Sequence, residues 1–178
     1  MLAIGMIELS SIARGIETCD GMVKAASVSL LRASTVCPGK YIIIVSGDTG
    51  DVKASMEAGR KYASECLVDE LLITNASAQL IPAISMTSQV DKRGAIGVLE
   101  FYSVASAIMA ADTAAKAANI TLIEVRIGYA IGGKGYVTLT GEVGDVKAAV
   151  EAASESAELL VGTTVIPRPS PLLFDSLM

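Results

Sequence analysis

The residues of this chain best suited to chemistry are three cysteines, Cys19, Cys37 and Cys66, and no histidine accompanies them. Histidine is the commonest general base and a common metal ligand. Its absence excludes Ser-His-Asp, Cys-His and His-rich zinc chemistry. Three cysteines at irregular spacing do not form a disulfide framework. Cys19 falls on the apolar stripe of a helical segment and Cys66 near the end of another, so both read as core. Cys37 is different, because it sits in a turn, in STVCPGKY (residues 34–41). Pro38 fixes φ and lacks an N–H, while Gly39 permits a tight bend, so the pair could hold the sulfur outward on a stiff loop. Lys40 would favour the thiolate if it points the same way. On spacing alone, the competing reading of Cys37 is a small buried hydrophobe.

Other candidate motifs have structural explanations. GDTGDV (47–52) and GEVGDV (141–146) lie between a strand and a helix, but neither has the Walker lysine or the dinucleotide fingerprint. Asp and Thr as N-caps, with Asp51 and Asp145 near the positive end of the helix dipole, account for both. IGGKG (131–135) precedes a strand rather than a helix, which argues against a P-loop. Glu8 and Glu100 each end a strand and form no enzymatic pair. A structural ion pair with a lysine is the expectation for each.

The elements that position these residues occur twice. Residues 3–31 align without gaps to residues 95–123, with twelve of 29 pairs identical, including Glu8/Glu100, Asp20/Asp112 and Lys24/Lys116. GDTGDVKA (47–54) then matches GEVGDVKA (141–148) at six of eight positions, so the offset has grown from 92 to 94. Counted from this second anchor, Gly39-Lys40 matches Gly133-Lys134 and Cys37 matches Ile131. One loop is thus Cys-Pro in the first copy and glycine-rich in the second.

Within each copy, a strand (AIGMIEL) leads through a Ser10 or Ser11 N-cap into a helix with Ile12, Ile16, Cys19 and Val23 as its apolar stripe. Two strands (VSLLRASTV, YIIIVSG) flank the CPGK loop. A second helix has Val52, Met56, Gly59 and Ala63 inward, and DELLITN closes the unit. The order β-α-β-β-α-β predicts an α+β fold of two tandem ferredoxin-like modules. Their expected extents are residues 1–90 and 94–178, joined near SQVDKRG.

Charge and hydropathy narrow the function class. A net charge of −5 argues against nucleic-acid binding. The first ten residues lack the basic n-region of a signal peptide, and no apolar run approaches the roughly 18 residues of a membrane span. The expectation is a soluble, cytosolic protein. A mean hydropathy of +0.54 is high for a soluble chain of 178 residues, and subunit interfaces are the natural place for the excess.

Together, AIGMIE, D-x-x-x-KAA, GDTGDVKA and VIPRP resemble the shell proteins of bacterial microcompartments, across essentially the whole chain. With CPGK, LIPAIS, VDKR and IGGK, the sequence is most similar to the tandem shell proteins of propanediol-utilisation compartments. The resemblance implies a homotrimer that forms a pseudohexameric tile with a central pore. It implies lateral contact with other shell proteins, no enzymatic activity, and no nucleic-acid or membrane partner. It places Cys37, Pro38, Gly39 and Lys40, with Ile131, Gly132, Gly133 and Lys134, around the pore. It places Lys24, Lys116 and Arg168 at tile edges. LIPAI stands against VIPRP in that comparison, so the first module lacks the arginine.

The resemblance further implies one [4Fe–4S] cluster per trimer, held by Cys37 of each subunit, for electron transfer across the shell, with a lumenal redox enzyme as partner, or for cluster delivery. Three thiolates holding zinc, or a metal-free pore, are the alternatives for the site. A gated metabolite pore without metal, and a ferredoxin-like small-molecule-binding regulator, are the alternatives for the function.

Overall fold

The computed structural model describes residues 1–155 and 158–177. Two compact units emerge: Met1–Ala76 with Tyr129–Gly132, and Ser77–Gly128 with Gly133–Met178.

The first unit runs β1 (Leu2–Leu9), α1 (Ile12–Ala25), β2 (Ser29–Val36), β3 (Lys40–Asp48), α2 (Thr49–Ala63) and β4 (Leu67–Ile73). The sheet order is β2-β3-β1-β4, antiparallel throughout. β1 is central and buried along almost its whole length, which is why it reads as a continuous apolar run rather than a strict alternation. One face carries Ala3, Ile7, Leu9, Ile43 and Val45 against Met22 of α1 and Val52, Met56 and Ala63 of α2. Close helix approach needs small residues. A Cβ at Gly59 would lie 2.3 Å from Ile7 Cδ1, and one at Gly5 would lie 2.7 Å from Met56 Sδ.

The second unit contains α3 (Leu80–Ile84), then β5 (Ala95–Phe101), α4 (Val104–Ala117), β6 (Ile120–Ile127), β7 (Gly135–Gly141), α5 (Val143–Glu155), β8 (Leu160–Ile166) and α6 (Pro171–Ser176). Its sheet order, β6-β7-β5-β8, repeats that of the first unit. Gly97 admits Val146 and Val150 of α5, as Gly5 admits α2. On the face away from α5, Phe174 packs with Ile96 and Ile123.

The expected α+β architecture is present in both units. Ser11 caps α1 by accepting a hydrogen bond from the Arg14 N–H, and Ser103 caps α4 by accepting one from the Ser106 N–H. The inner face of α2 is as expected: Val52, Met56, Gly59 and Ala63 are all buried.

The stripe on α1 is not inward. Ile12, Ile16 and Val23 are 40%, 57% and 37% exposed, and Gly15, Thr18, Gly21 and Met22 are the buried residues. The reason is steric. Tyr41 lies against Gly15 and Tyr62 against Gly21, at distances no Cβ would allow, so α1 seats on its glycine-bearing side.

The segment after Ala76 also differs from the sequence reading, which carried the first module to residue 90. Ser77 N–H donates to Asp112 Oδ1 (2.7 Å), and Gln79 brackets β6, donating to Ile120 O (3.0 Å) and accepting from Leu122 N–H (2.8 Å). Residues 77–84 therefore belong to the second compact unit.

Candidate functional site: two equivalent loops

The β2–β3 connection is short. Val36 and Lys40 are the last paired residues, and Gly39 N–H donates to Val36 O (3.0 Å) to close the turn. Gly39 takes φ +83°, a conformation that costs a side-chain-bearing residue but not glycine. Val36 is buried, Pro38 and Gly39 are exposed, and Cys37 is half-buried between them with a free thiol. Cys19 and Cys66 instead pack against the first unit's core. Burial, and secondarily Asp20, push the Cys19 thiol above its ordinary pKa, which disfavours a thiolate ligand there.

Lys40 does not serve the thiol. Its ammonium pairs with Glu8, whose side chain is 3% exposed. A carboxylate at the end of β1 that is withdrawn from water requires such a partner. The ion pairs expected for Glu8 and Glu100 are both present, since Lys134 Nζ donates to Glu100 Oε1 at 2.8 Å. Lys134 also lies 5.6 Å from the Tyr102 ring centre. The hydrogen bond to Glu100 comes first among the causes that hold the Lys134 pKa above its usual value.

The β6–β7 connection occupies the same place in its own sheet and is two residues longer. Gly128 N–H donates to Lys134 O (2.9 Å), which closes the loop as Val36 and Lys40 close theirs. Gly128, Ala130, Gly132 and Gly133 all have positive φ, while Tyr129 is 60% exposed. Counted from the closing pair forward, Cys37 corresponds to Tyr129; counted backward, it corresponds to Ile131. Neither is a cysteine, so the second loop contributes no thiol.

Among the described residues, no three histidine, cysteine or carboxylate side chains come together in one chain as a metal site. A donor set of one thiol per chain fits a multi-cysteine centre only if copies converge on it. A four-iron cluster is usually held by four thiolates.

The edge candidates are on the surface. Lys24 Nζ donates to Asp20 Oδ2 (2.6 Å) and is 72% exposed, while Lys116 pairs with the buried Asp112. Hydrogen bonding to Asp20 raises the Lys24 pKa. Arg168 is exposed, two residues past β8. The sheet registers correct its counterpart. Ile73 pairs with Ile4, and Ile166 pairs with Ile96, so Ile73 and Ile166 are equivalent and Arg168 corresponds to Asn75. The sequence reading had set VIPRP against LIPAI because both contain Ile-Pro. The first module still has no arginine at this place.

Two tandem copies of a helix-backed, four-stranded sheet with equivalent loops define a duplicated shell-type module. The BMC domain family model matches residues 3–76 and 95–169. The chain belongs to this family. It is 49% identical over 170 residues to the bacterial microcompartment shell protein PduT of Citrobacter freundii, covering 94% of this chain and 92% of that one. A crystal structure of a microcompartments protein from Desulfitobacterium hafniense matches with a TM-score of 0.93 and 45% identity, over 98% of this chain and 99% of that one. A fused, permuted hexameric shell protein of the RMM microcompartment shares the fold at a TM-score of 0.63 and 24% identity, over 86% and 82% of the two chains. The chain is therefore a structural shell protein of a bacterial microcompartment, not an enzyme. Among the described residues, no helix is long and apolar enough to cross a membrane.

Proposed function

We propose that three copies of this chain form a pseudohexameric tile in which Cys37 of each subunit faces a shared pore and holds one [4Fe–4S] cluster. The supporting observation is the contrast among the cysteines: Cys37 is set in a tight exposed turn, whereas Cys19 and Cys66 pack on the core. Threefold convergence supplies three thiolates, and the fourth iron position is left to water or an outside ligand. A bound cluster supplies one-electron chemistry at a potential set by charge, hydrogen bonds and exposure. Val36, Gly39 and the turn between them fix the direction of the Cys37 backbone. Glu8 neutralises Lys40 nearby. Such a tile suits electron passage across the shell, with a redox enzyme on the lumenal side, or delivery of a cluster to one.

The second reading is a metabolite pore gated by residues 129–133. It is favoured by Gly132 and Gly133, which take positive φ without side-chain cost and make that stretch the loop's most permissive backbone. Iron and acid-labile sulfide, measured per chain on anaerobically purified protein beside Cys37→Ser, decide between them. About four irons per three chains, lost in the variant, are expected for the cluster. Trimers without iron in either protein would overturn it and leave the metabolite pore. Zinc at one ion per trimer would identify a three-thiolate zinc site instead.

A further inference from the structure

The second unit carries a group of polar side chains that a structural tile does not require. Val98, Thr138 and Glu124 pair across β5, β7 and β6, so they share the sheet face on which Phe174 packs. Arg126 and Tyr136 form the next cross-strand pair on that face, just before Gly128 and Lys134 close the loop. Glu124 is 9% exposed. Arg126 Nε stands 2.5 Å from its Oε1, and the Tyr136 hydroxyl donates to its Oε2 at 3.1 Å. A carboxylate withdrawn from water requires such partners. Burial, and then the Glu124 charge, push the Tyr136 phenol above its ordinary pKa, so it stays protonated as a donor.

Glu124, Arg126 and Tyr136 border a cavity of about 200 Å³ within the second unit. Met86, Ile123 and Leu177 form its apolar wall. Ser88 also lines it, and the buried Ser88 hydroxyl has no hydrogen-bond partner. Thr138, cross-strand from Glu124, is 2% exposed and its hydroxyl is likewise unpartnered. Buried polar side chains are nearly always hydrogen-bonded, so two orphaned hydroxyls beside one cavity point to a ligand. The shared fold does not demand this arrangement. By strand register, the first unit has Arg32, Ser34 and Ile42 where the second has Glu124, Arg126 and Tyr136. There Arg32 Nε donates to Ser34 Oγ (3.3 Å), and none of the three is a carboxylate.

We propose that this cavity binds a small neutral molecule that carries a primary amide on a short apolar chain. Glu124 and Arg126 cancel in charge. A carboxylate ligand would lie beside the buried Glu124 and an ammonium beside Arg126, so a neutral ligand is preferred. The pair sets a fixed acceptor next to a fixed donor. A primary amide complements both, its carbonyl accepting from the guanidinium and its N–H groups donating to Glu124 and the Ser88 oxygen. Its chain lies on Met86, Ile123 and Leu177. The volume equals that of about seven waters in the liquid, room for roughly six heavy atoms. A few convergent polar groups against an apolar wall are the usual make-up of a small-molecule site. The proposal depends on neither the cluster nor the pore.

Saturation-transfer difference NMR on the assembled protein tests it, with butyramide, butyrate, butylammonium and 1-butanol as probes of one chain length. Butyramide should bind, and the other three should bind roughly tenfold more weakly or worse. Ser88→Leu fills the cavity from its rim and should abolish the butyramide signal with unchanged far-ultraviolet circular dichroism. Glu124→Gln leaves the Arg126 cation unopposed and should shift the preference from butyramide to butyrate. A parent protein that gives no butyramide signal, or that binds all four probes alike, would overturn the proposal. So would butyramide binding that survives Ser88→Leu, or an unchanged preference in Glu124→Gln. If Glu124→Gln unfolds, the probe series and Ser88→Leu still decide the question.

Discussion

The two copies solve the same packing problem by opposite assignments of volume. In the first unit Gly15 of α1 faces Tyr41 of β3, and a Cβ at Gly15 would lie 2.6 Å from the ring. At the equivalent places the second unit has Ala107 and Gly135, and a Cβ at Gly135 would lie 2.6 Å from Ala107 Cβ. The helix carries the gap in one copy and the strand carries it in the other. The ion pairs at the loop bases diverge in the same way. Glu8 and Lys40 are largely withdrawn from water, whereas Glu100 and Lys134 are 41% and 37% exposed. A duplicated fold preserves the contact, and each copy is free to redistribute the atoms that make it.

The ion pairs give the largest test of this difference. Lys40→Ala leaves the buried Glu8 carboxylate without its cation and should cost about 3 kcal/mol of stability, read by urea denaturation. Lys134→Ala should move the same transition little, because solvent screens that pair. Equal effects would erase the distinction between the copies.

The traded volumes come next. Gly15→Ala should destabilise the first unit by roughly 1–3 kcal/mol through overpacking against Tyr41. Adding Tyr41→Gly, the arrangement of the second copy, should make the double change cheaper than the sum of the two single ones. Strict additivity in a double-mutant cycle would show that the two positions do not share one space.

Replacing Lys24, whose partner Asp20 is exposed, should have the smallest effect on folding, whereas Lys116 stands beside the buried Asp112 and its replacement costs more; both should show a visible effect on assembly. Lys24→Asp with Lys116→Asp places like charges beside Asp20 and Asp112 and should weaken side-by-side packing of tiles without dissociating the tile. Negative-stain imaging reads this directly. Two-dimensional sheets formed as readily as by the parent protein would remove both lysines from the edge.

The contrast also bears on pH. The Lys134 pKa is raised in the folded chain by Glu100. Its contribution to stability is therefore present at neutral pH and is lost as pH rises through the raised value.

The sequence by itself determined the duplication, the order of elements in each copy and the ion-pair role of Glu8 and Glu100. Those features follow from local spacing and from the identity of aligned residues. It also set Cys37 apart from Cys19 and Cys66, because Pro38 and Gly39 announce a turn. The tertiary structure alone decided which side of α1 faces the core. Periodicity locates an apolar stripe, but Gly15 and Gly21 show their purpose only when Tyr41 and Tyr62 arrive from elsewhere in the chain. It decided that residues 77–84 belong to the second compact unit, because Gln79 and Ser77 find their partners more than thirty positions away. It also decided the counterpart of Arg168, since strand register fixes equivalence where a repeated Ile-Pro misleads. Lys40, adjacent in sequence to the Cys-Pro-Gly turn, turns to Glu8 instead, because burying that carboxylate demands a cation.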